Sequence, residues 1–216
     1  LYRQHQRLTA AGVRVSRQWL TQLMQQSAQL LAPIFDAQLQ GVLSSRVKAM
    51  DETPIKAALS TTRPGKMKAA YLWPLYGEQH EICFLYYPDR SGANVRAALG
   101  IDPVPGGVLL TDGYAAYAQY AQQVGLTHAQ CWAHTRRYFF NARDIEPQAA
   151  DEALELIGQL YKVEEDIRAR GLGHADTRAQ RQAHAKPQVE AFFKWAKQRF
   201  ERQEFLPSSP LTKALA

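Results

Sequence analysis

The stretch GGVLLTDGYAAY, residues 106–117, places a carboxylate at the end of an apolar run. The letters VLL favour a buried strand, and this run ends in Asp112, followed at once by Gly113. A carboxylate has no packing reason to lie at the tip of a buried strand. Asp112 is therefore either the cap of the helix that follows or one half of a functional pair.

The order of elements around Asp112 predicts an α/β fold with a mixed five-stranded sheet. Upstream, the segments RVKAMDETPIKA, KAAYLWPLYG and EICFLYYPD have the composition of three successive strands. A short helix capped by Ser91 leads into the strand VLLTD, and a second helix leads into a fifth strand around THAQCWAH. Such crossovers make the fourth strand parallel to the first.

Asp51 is the partner that this topology predicts for Asp112. It lies in the first strand, before Pro54, which ends the pairing of that strand. Two carboxylates at the ends of neighbouring parallel strands repel each other unless a cation neutralises them. Mg²⁺ prefers such carboxylate oxygens, and two ions can serve displacement at phosphorus. Either aspartate alone is typical of a turn or a cap, and only the pair favours a metal site.

Helical patterns lie on both sides of the predicted sheet. Residues 1–45 form an N-terminal helical segment, either a linker or a helix-turn-helix remnant. Within it, Ser16 is the expected N-cap and Pro33 is expected to kink or divide the helix. The segment 46–147 is predicted as the core domain, and the segment 148–216 as a helical insertion followed by the start of a C-terminal part.

Inside the helical insertion, an amphipathic helix is predicted over residues 148–171. Gly171 and Gly173 are expected to end this helix. A polar helical stretch then continues until a break at Pro187, after which an apolar stripe resumes.

Composition narrows the class of protein. The 216-residue chain has a formal net charge of +6, which weakly favours a polyanionic partner. Two cysteines are too few for a disulfide framework, so we expect a reduced, cytoplasmic protein. No segment of the sequence has the roughly 18 apolar residues that a membrane span needs.

Five motifs resemble one family of proteins. The strings DETPIK, YLWPLYG, YYPDRSG, LLTDGYAAY and CWAHTRRYF follow one another as in transposases of the insertion sequence 66 type. The resemblance implies a ribonuclease-H-like catalytic core of the Asp-Asp-Glu class, which cuts and joins DNA with Mg²⁺ or Mn²⁺. By position, Asp51 matches the first catalytic aspartate and Asp112 the second. The partners implied are transposon ends, target DNA and further copies of the chain in a homo-oligomer.

One element of that family pattern is missing from the sequence. The third carboxylate belongs to an Asn-Asn-x-x-Glu motif downstream of the LTKAL segment, and this motif does not occur here. We therefore expect the third carboxylate beyond residue 216, and a chain that is truncated or decayed and catalytically incomplete. Two alternatives stay open, namely an inactive DNA-binding or interaction fragment and a structure-specific nuclease on the same fold.

Basic and aromatic residues supply further candidates for DNA contact. His134 is expected beside the metals, where it would meet a phosphate or a water, and Arg136 and Arg137 suit DNA phosphates. Spacing alone would also allow His128, Cys131 and His134 to bind zinc, although the fourth ligand is missing. The remaining candidates are basic or base-stacking residues, each with an ordinary surface or core alternative: Lys66, Lys68, Trp73 and Trp195.

Overall fold

The computed structural model describes residues 1–57 and 67–215, which form a sheet with helices before, between and after its strands. In the first part the elements are α1 (Tyr2–Ala10), α2 (Arg17–Ser44), β1 (Val47–Met50), β2 (Thr53–Ala57), β3 (Lys68–Tyr76), β4 (Ile82–Tyr87), α3 (Gly92–Leu99), β5 (Val108–Thr111), α4 (Ala115–Val124) and β6 (Thr127–Gln130). Helices follow: α5 (Trp132–Ala142), α6 (Pro147–Ala169), α7 (His174–Gln180), a π-helical turn (Arg181–Ala185), α8 (Lys186–Arg202) and α9 (Pro210–Leu215). The chain divides into a first unit, Leu1–Ala129, and a second unit, Gln130–Ala216.

The long N-terminal helix α2 begins where the sequence predicts. Ser16 caps α2, since its hydroxyl oxygen accepts a hydrogen bond of 3.0 Å from the backbone N–H of Trp19. Of the two effects predicted for Pro33, division of the helix is wrong, because α2 is continuous from Arg17 to Ser44, and a kink stays a prediction. The turn around Pro33 is exposed, so water can bond to the carbonyl that the proline leaves without an N–H donor.

The first predicted strand consists of two strands, β1 and β2, which pair with β3 in one continuous register. Both β1 and β2 pair antiparallel with β3, through Met50–Leu75 and Thr53–Leu72 respectively. These pairs continue one another, so Asp51 lies opposite Pro74, and its N–H donates to the Pro74 carbonyl at 3.3 Å. A hydrogen-bonded antiparallel pair normally exchanges two backbone hydrogen bonds. Because Pro74 has no N–H, the Asp51–Pro74 pair has only one of them. The ladder is interrupted at the carboxylate for this reason.

The predicted α/β fold class is confirmed, with six strands in place of five. The sheet has the order β2-β3-β1-β5-β6, with β4 on β3, and the split of the first strand supplies the sixth member. The strand β5 runs parallel to β1, as the crossover predicts, and the β2, β3 and β4 pairings are antiparallel. This mixed sheet with flanking helices is consistent with a ribonuclease-H-like transposase core.

One face of the sheet packs on helices of the first unit. The buried cluster there combines strand residues with residues of α2, α3 and α4, among them Val42, Met50, Trp73, Val95, Leu109 and Tyr117. Trp73 makes edge-to-face contacts with Tyr117, at a centroid distance of 6.2 Å, and with Tyr87, at 6.1 Å. The helix that follows Asp112 is therefore anchored by Tyr117 in the core.

The second unit is helical and has its own buried cluster. We call the rings of Trp132, Phe139, Phe192 and Trp195 the aromatic cluster, which packs with apolar residues of α6. The helix α6 ends at Ala169, and Gly171 follows with a φ of +58°, so the predicted stop is confirmed. The predicted break at Pro187 is wrong, because α7, the π-helical turn and α8 follow one another without a gap, and Pro187 lies just after the π-helical turn.

The fifth strand is shorter than the sequence suggests. The strand β6 ends at Gln130, and α5 begins at Trp132, with Cys131 at its N-cap position. His134 therefore lies on a helix and not on a strand, which corrects the predicted boundary. The division into segments 1–45, 46–147 and 148–216 stays a prediction. Within residues 1–57 and 67–215, no helix is long and apolar enough to cross a membrane.

Candidate active site

Asp51 and Asp112 lie at the ends of two strands that are direct neighbours. Strands β1 and β5 are parallel, and Ala49 pairs with Leu110. Continuing this register by two residues along each strand brings Asp51 beside Asp112. Neighbouring strands are about 4.8 Å apart, and residues in register share a face of the sheet. The register therefore brings the two aspartates together at the edge of the sheet where the inner strands β1 and β5 end.

Hydrogen bonds to the backbone hold the carboxyl group of each aspartate. The Oδ1 atom of Asp112 accepts from the backbone N–H of Tyr114 at 2.9 Å, just before α4 begins. The Oδ1 atom of Asp51 accepts from the N–H of Glu52 at 2.8 Å. Asp112 thus makes the local contact expected of a turn or cap residue, and its other oxygen, Oδ2, faces Arg90.

Glu52 is a third carboxylate at this edge, and it is almost fully buried. Only 3% of its side chain is exposed, whereas 43% of the Arg90 side chain is exposed. The Nε and Nη2 atoms of Arg90 both contact Oε1 of Glu52, and the Tyr117 hydroxyl donates to Oε2. Nη2 of Arg90 also lies 3.7 Å from Oδ2 of Asp112. We call Asp51, Glu52, Asp112 and Arg90 together the carboxylate site.

The electrostatics of the site agree with this crowding of negative charge. Burial raises the pKa of Tyr117 strongly, and the hydrogen bond to Glu52 together with the charges of Glu52, Asp112 and Asp51 raises it further. Partial burial alone would lower the pKa of Arg90, but Glu52 and Asp112 outweigh it, and the net direction is upward. Tyr117 therefore stays a neutral donor and Arg90 a cation.

His128 lies on β6, the strand next to β5, and contacts the last residue of β5. Its Nε2 atom is 2.8 Å from the Thr111 hydroxyl, which also donates to the backbone carbonyl of Asp112. Burial lowers the pKa of His128, and the negative charge of Asp112 partly opposes this effect. A neutral imidazole, with one donor and one acceptor nitrogen, is therefore favoured at this position.

Comparison with known proteins decides the family. The chain matches the family described as Transposase IS66 family over residues 1–216. The chain belongs to this family. Among curated proteins, the uncharacterized protein y4qI of Sinorhizobium fredii is 30% identical over 189 residues, which cover 79% of this chain and 34% of that protein. The uncharacterized protein y4hP of the same organism is 27% identical over 222 residues, which cover 90% of this chain and 38% of that protein.

The chain spans about a third of the length of these curated relatives, at 34% and 38%. No solved structure matches it significantly. The transposase family and its insertion-sequence origin are thus shown, while the chemistry of the site is argued from the geometry above.

The donor set at the ends of β1 and β5 suits a hard cation. Within residues 1–57 and 67–215, no group of three or more His, Cys, Asp or Glu side chains is arranged to hold a metal. The zinc alternative at His128, Cys131 and His134 is likewise without such a group. Asp51 and Asp112 offer carboxylate oxygens, the ligands that Mg²⁺ and Mn²⁺ prefer. The site also already holds one cation, the Arg90 guanidinium, beside Asp112.

Four of the other predicted residues of the transposase chain are on α5 and β3. His134, Arg136 and Arg137 are on α5 in the second unit, with both arginines exposed. Lys68 is exposed at the start of β3, and Lys66 lies outside the described residues. Their contact with DNA stays a prediction.

The two predicted tryptophans have different surroundings. Trp195 is part of the aromatic cluster, and its indole N–H donates to Glu152 at 2.9 Å, which matches the core alternative. Its contact with DNA stays a prediction. Trp73 is fully buried, so the prediction that it stacks on a DNA base is wrong for this conformation.

Sequence reasoning did not identify Glu52, Arg90 or Tyr117 as members of the site. Glu52 follows Asp51 directly, and the alternation of a strand turns it toward the core face, where a lone glutamate demands a partner. Arg90 is in the YYPDRSG motif and Tyr117 in the LLTDGYAAY motif. A glutamate on the core face needs a positive partner and a hydrogen-bond donor, and this requirement is the signal that could have pointed to Arg90 and Tyr117.

Proposed function

We propose that this chain is part of the catalytic core of a transposase that cleaves DNA phosphodiester bonds and joins the ends to new DNA. Asp51 and Asp112 are the first two carboxylates that hold Mg²⁺ or Mn²⁺. The single observation that carries the proposal is the parallel pairing of β1 and β5, whose register brings these two aspartates together. Membership in the IS66 transposase family supports the same role.

Asp51, Glu52 and Asp112 gather around one point of the sheet with Arg90 beside them, and a metal ion would neutralise the negative charge that one guanidinium leaves. Glu52 is already paired with Arg90 and bonded to Tyr117, and we assign the ligand role to the two aspartates at the strand ends. When bound there, Mg²⁺ would supply stabilisation of negative charge on the attacking and leaving oxygens of a phosphodiester.

The residues of the chain contribute orientation. The Tyr114 N–H fixes Asp112, and the Glu52 N–H fixes Asp51, so that each carboxylate has a defined direction before any ligand arrives. Preorganised groups of this kind lower the cost of ordering the site during the reaction. The third carboxylate, expected in an Asn-Asn-x-x-Glu motif, completes the set in the proposal.

The first test measures Mn²⁺ binding to the 216-residue chain by electron paramagnetic resonance of the free ion. Asp51→Asn and Asp112→Asn are each expected to weaken binding, because the amide removes a charged ligand. Asp102→Asn, at an exposed carboxylate outside the site, is the matched control and should bind as the wild type does. Wild-type binding that neither aspartate variant changes would overturn the metal assignment.

The second test measures nicking of supercoiled plasmid in Mn²⁺ by a transposase in which this chain is accompanied by the Asn-Asn-x-x-Glu motif. We expect nicking to be lost in Asp51→Asn and in Asp112→Asn and kept in Asp102→Asn. Activity retained in both site variants would refute the catalytic role. DNA binding that depends on salt, with no effect of Mn²⁺ and no nicking by the unmodified protein, would favour the inactive DNA-binding alternative.

A further inference from the structure

Arg90 lies in the turn between β4 and α3, where several contacts fix it beside the two aspartates. The aromatic ring of Tyr114 lies under its guanidinium, at 4.4 Å from the carbon Cζ to the ring centroid. The Tyr114 hydroxyl also donates to the backbone carbonyl of Arg90 at 2.9 Å. Asp89 shapes the turn by accepting from the N–H of Ser91 at 3.0 Å. Both the main chain and the side chain of Arg90 are therefore held.

The partner of Arg90 is the most buried acid of the site. Glu52 is 3% exposed, contacts two guanidinium nitrogens and accepts a hydrogen bond from the hydroxyl of Tyr117, a fully buried residue. A buried carboxylate that is paired in this way holds its partner in one place, since breaking the pair would leave an uncompensated charge. Glu52 and Tyr117 thus fix one edge of the guanidinium, while 43% of the Arg90 side chain stays exposed.

The exposed part of Arg90 lies where a negative substrate would otherwise be repelled. A DNA phosphate that approaches Asp112 meets the field of three carboxylates, and Arg90 is the cation that lies 3.7 Å from Asp112. A guanidinium has five donors in a planar fork, so it can keep its contact with Glu52 and still present N–H groups to phosphate oxygens. A lysine in the same place would offer only a point charge.

We propose that Arg90 binds a DNA phosphate at the carboxylate site, and that Glu52 and Tyr117 are positioning residues that hold its guanidinium for this purpose. The inference rests on the proposed function, because it takes DNA as the substrate of the site. A purely structural Arg90, which only neutralises Glu52, is the competing role. The two roles differ in whether removing Arg90 changes the number of phosphate contacts.

The experiment measures the affinity of the 216-residue chain for a fluorescein-labelled 30-base-pair duplex by anisotropy, between about 50 and 200 mM salt. The slope of log K against log salt reports the number of phosphates neutralised, at about 0.9 for each contact. We expect Arg90→Ala to lower this slope by about 0.9 and to weaken binding. Arg90→Lys should preserve the slope and still bind more weakly, because the fork is lost.

Two controls separate a phosphate contact from a general loss of charge or fold. Arg96→Ala removes an arginine of α3 whose Nη2 bonds to Gln123, outside the site, and should leave the slope unchanged. Circular dichroism of each variant establishes that it folds, and if Arg90→Ala does not fold, the readout is the weaker binding expected of Arg90→Lys, which wild-type affinity would contradict. Equal slopes for Arg90→Ala, Arg96→Ala and the wild type would overturn the inference while the proposed function stands. No DNA binding by the wild type would overturn both.

A double-mutant cycle tests the positioning role of Glu52. Glu52→Gln should weaken DNA binding when Arg90 is present and have no such effect in the Arg90→Ala background, because Glu52 acts only through the guanidinium. Equal effects of Glu52→Gln in both backgrounds would contradict the positioning role. A gain in affinity that is the same in both would show that Glu52 acts on DNA merely as a repelling charge.

Discussion

The two units of the chain use buried side chains for different purposes. In the first unit a charged residue, Glu52, is buried to 3% exposure at the edge of the sheet, and it has an arginine and a tyrosine hydroxyl as partners. In the second unit Phe139 and Phe192 of the aromatic cluster are buried, and the Arg143–Asp151 ion pair is about half exposed, at 54% and 49%. Buried charge is costly unless it is paired, whereas buried rings only stabilise. The difference is that the first unit buries a paired charge, whereas the second unit buries aromatic rings.

The largest effect is expected from Phe139→Ala in the aromatic cluster. Phe139 is fully buried and lies 5.8 Å from both Phe192 and Trp195 between ring centroids. Truncation of such a ring costs about 3–5 kcal/mol in the free energy of unfolding. Phe140→Ala, next in sequence but 52% exposed, is the matched control and should change it by about 0.5 kcal/mol or less. Urea unfolding followed by circular dichroism measures both, and equal losses would contradict the packing role of the cluster.

A smaller effect is expected from Tyr117→Phe in the first unit. This change keeps the buried ring but removes the hydroxyl that donates to Glu52, a bond to a charged group worth about 1.5–3 kcal/mol. Tyr120→Phe is the control, because the Tyr120 hydroxyl donates to a neutral acceptor, the Gly100 carbonyl, at 3.1 Å. That bond is worth about 0.5–1.5 kcal/mol. If urea unfolding gives the larger loss for Tyr120→Phe, the buried charge is not what makes the first unit different.

The smallest effect concerns the pH dependence contributed by His128. Burial lowers the pKa of His128 in the folded chain, so the unfolded chain binds a proton first as the pH falls. The contribution of His128 to stability is therefore present above the ordinary histidine pKa of about 6.5 and is lost as the pH falls through the folded value. His128→Gln should flatten the loss of stability below about pH 6.5, by less than about 1.4 kcal/mol per pH unit, the ceiling for one proton. Melting temperatures from pH 7.5 to 5 measure this, and an unchanged profile would contradict it.

Local patterns predicted the elements best, because their causes are local. Ser16 and Ser91 each cap a helix through a hydroxyl oxygen that accepts a nearby backbone N–H, a contact encoded within three residues. The parallel pairing of β1 and β5 followed from strand order and the handedness of crossovers. The two aspartates at the sheet edge were therefore accessible to sequence reasoning before any coordinates.

Long-range partners escaped sequence reasoning for a physical reason. Glu52 and Arg90 are 38 positions apart, and Glu52 and Tyr117 are 65 apart, so no periodicity links them. The continuity of α2 through Pro33 also depends on surroundings, since an exposed turn can give its unbonded carbonyl to water. Secondary-structure propensity describes the conformation that a segment prefers in isolation, whereas these features depend on the residues and solvent around the segment.

The geometry of the site also depends on a residue that is not acidic, the proline opposite Asp51. The missing ladder bond belongs to Pro74, on β3, so no substitution at Asp51 or Glu52 can create it. A codon change at position 74, by contrast, could supply the N–H and turn β1 and β2 into one uninterrupted strand. The backbone geometry around Asp51 can therefore change in evolution through position 74, without any substitution of an acidic residue.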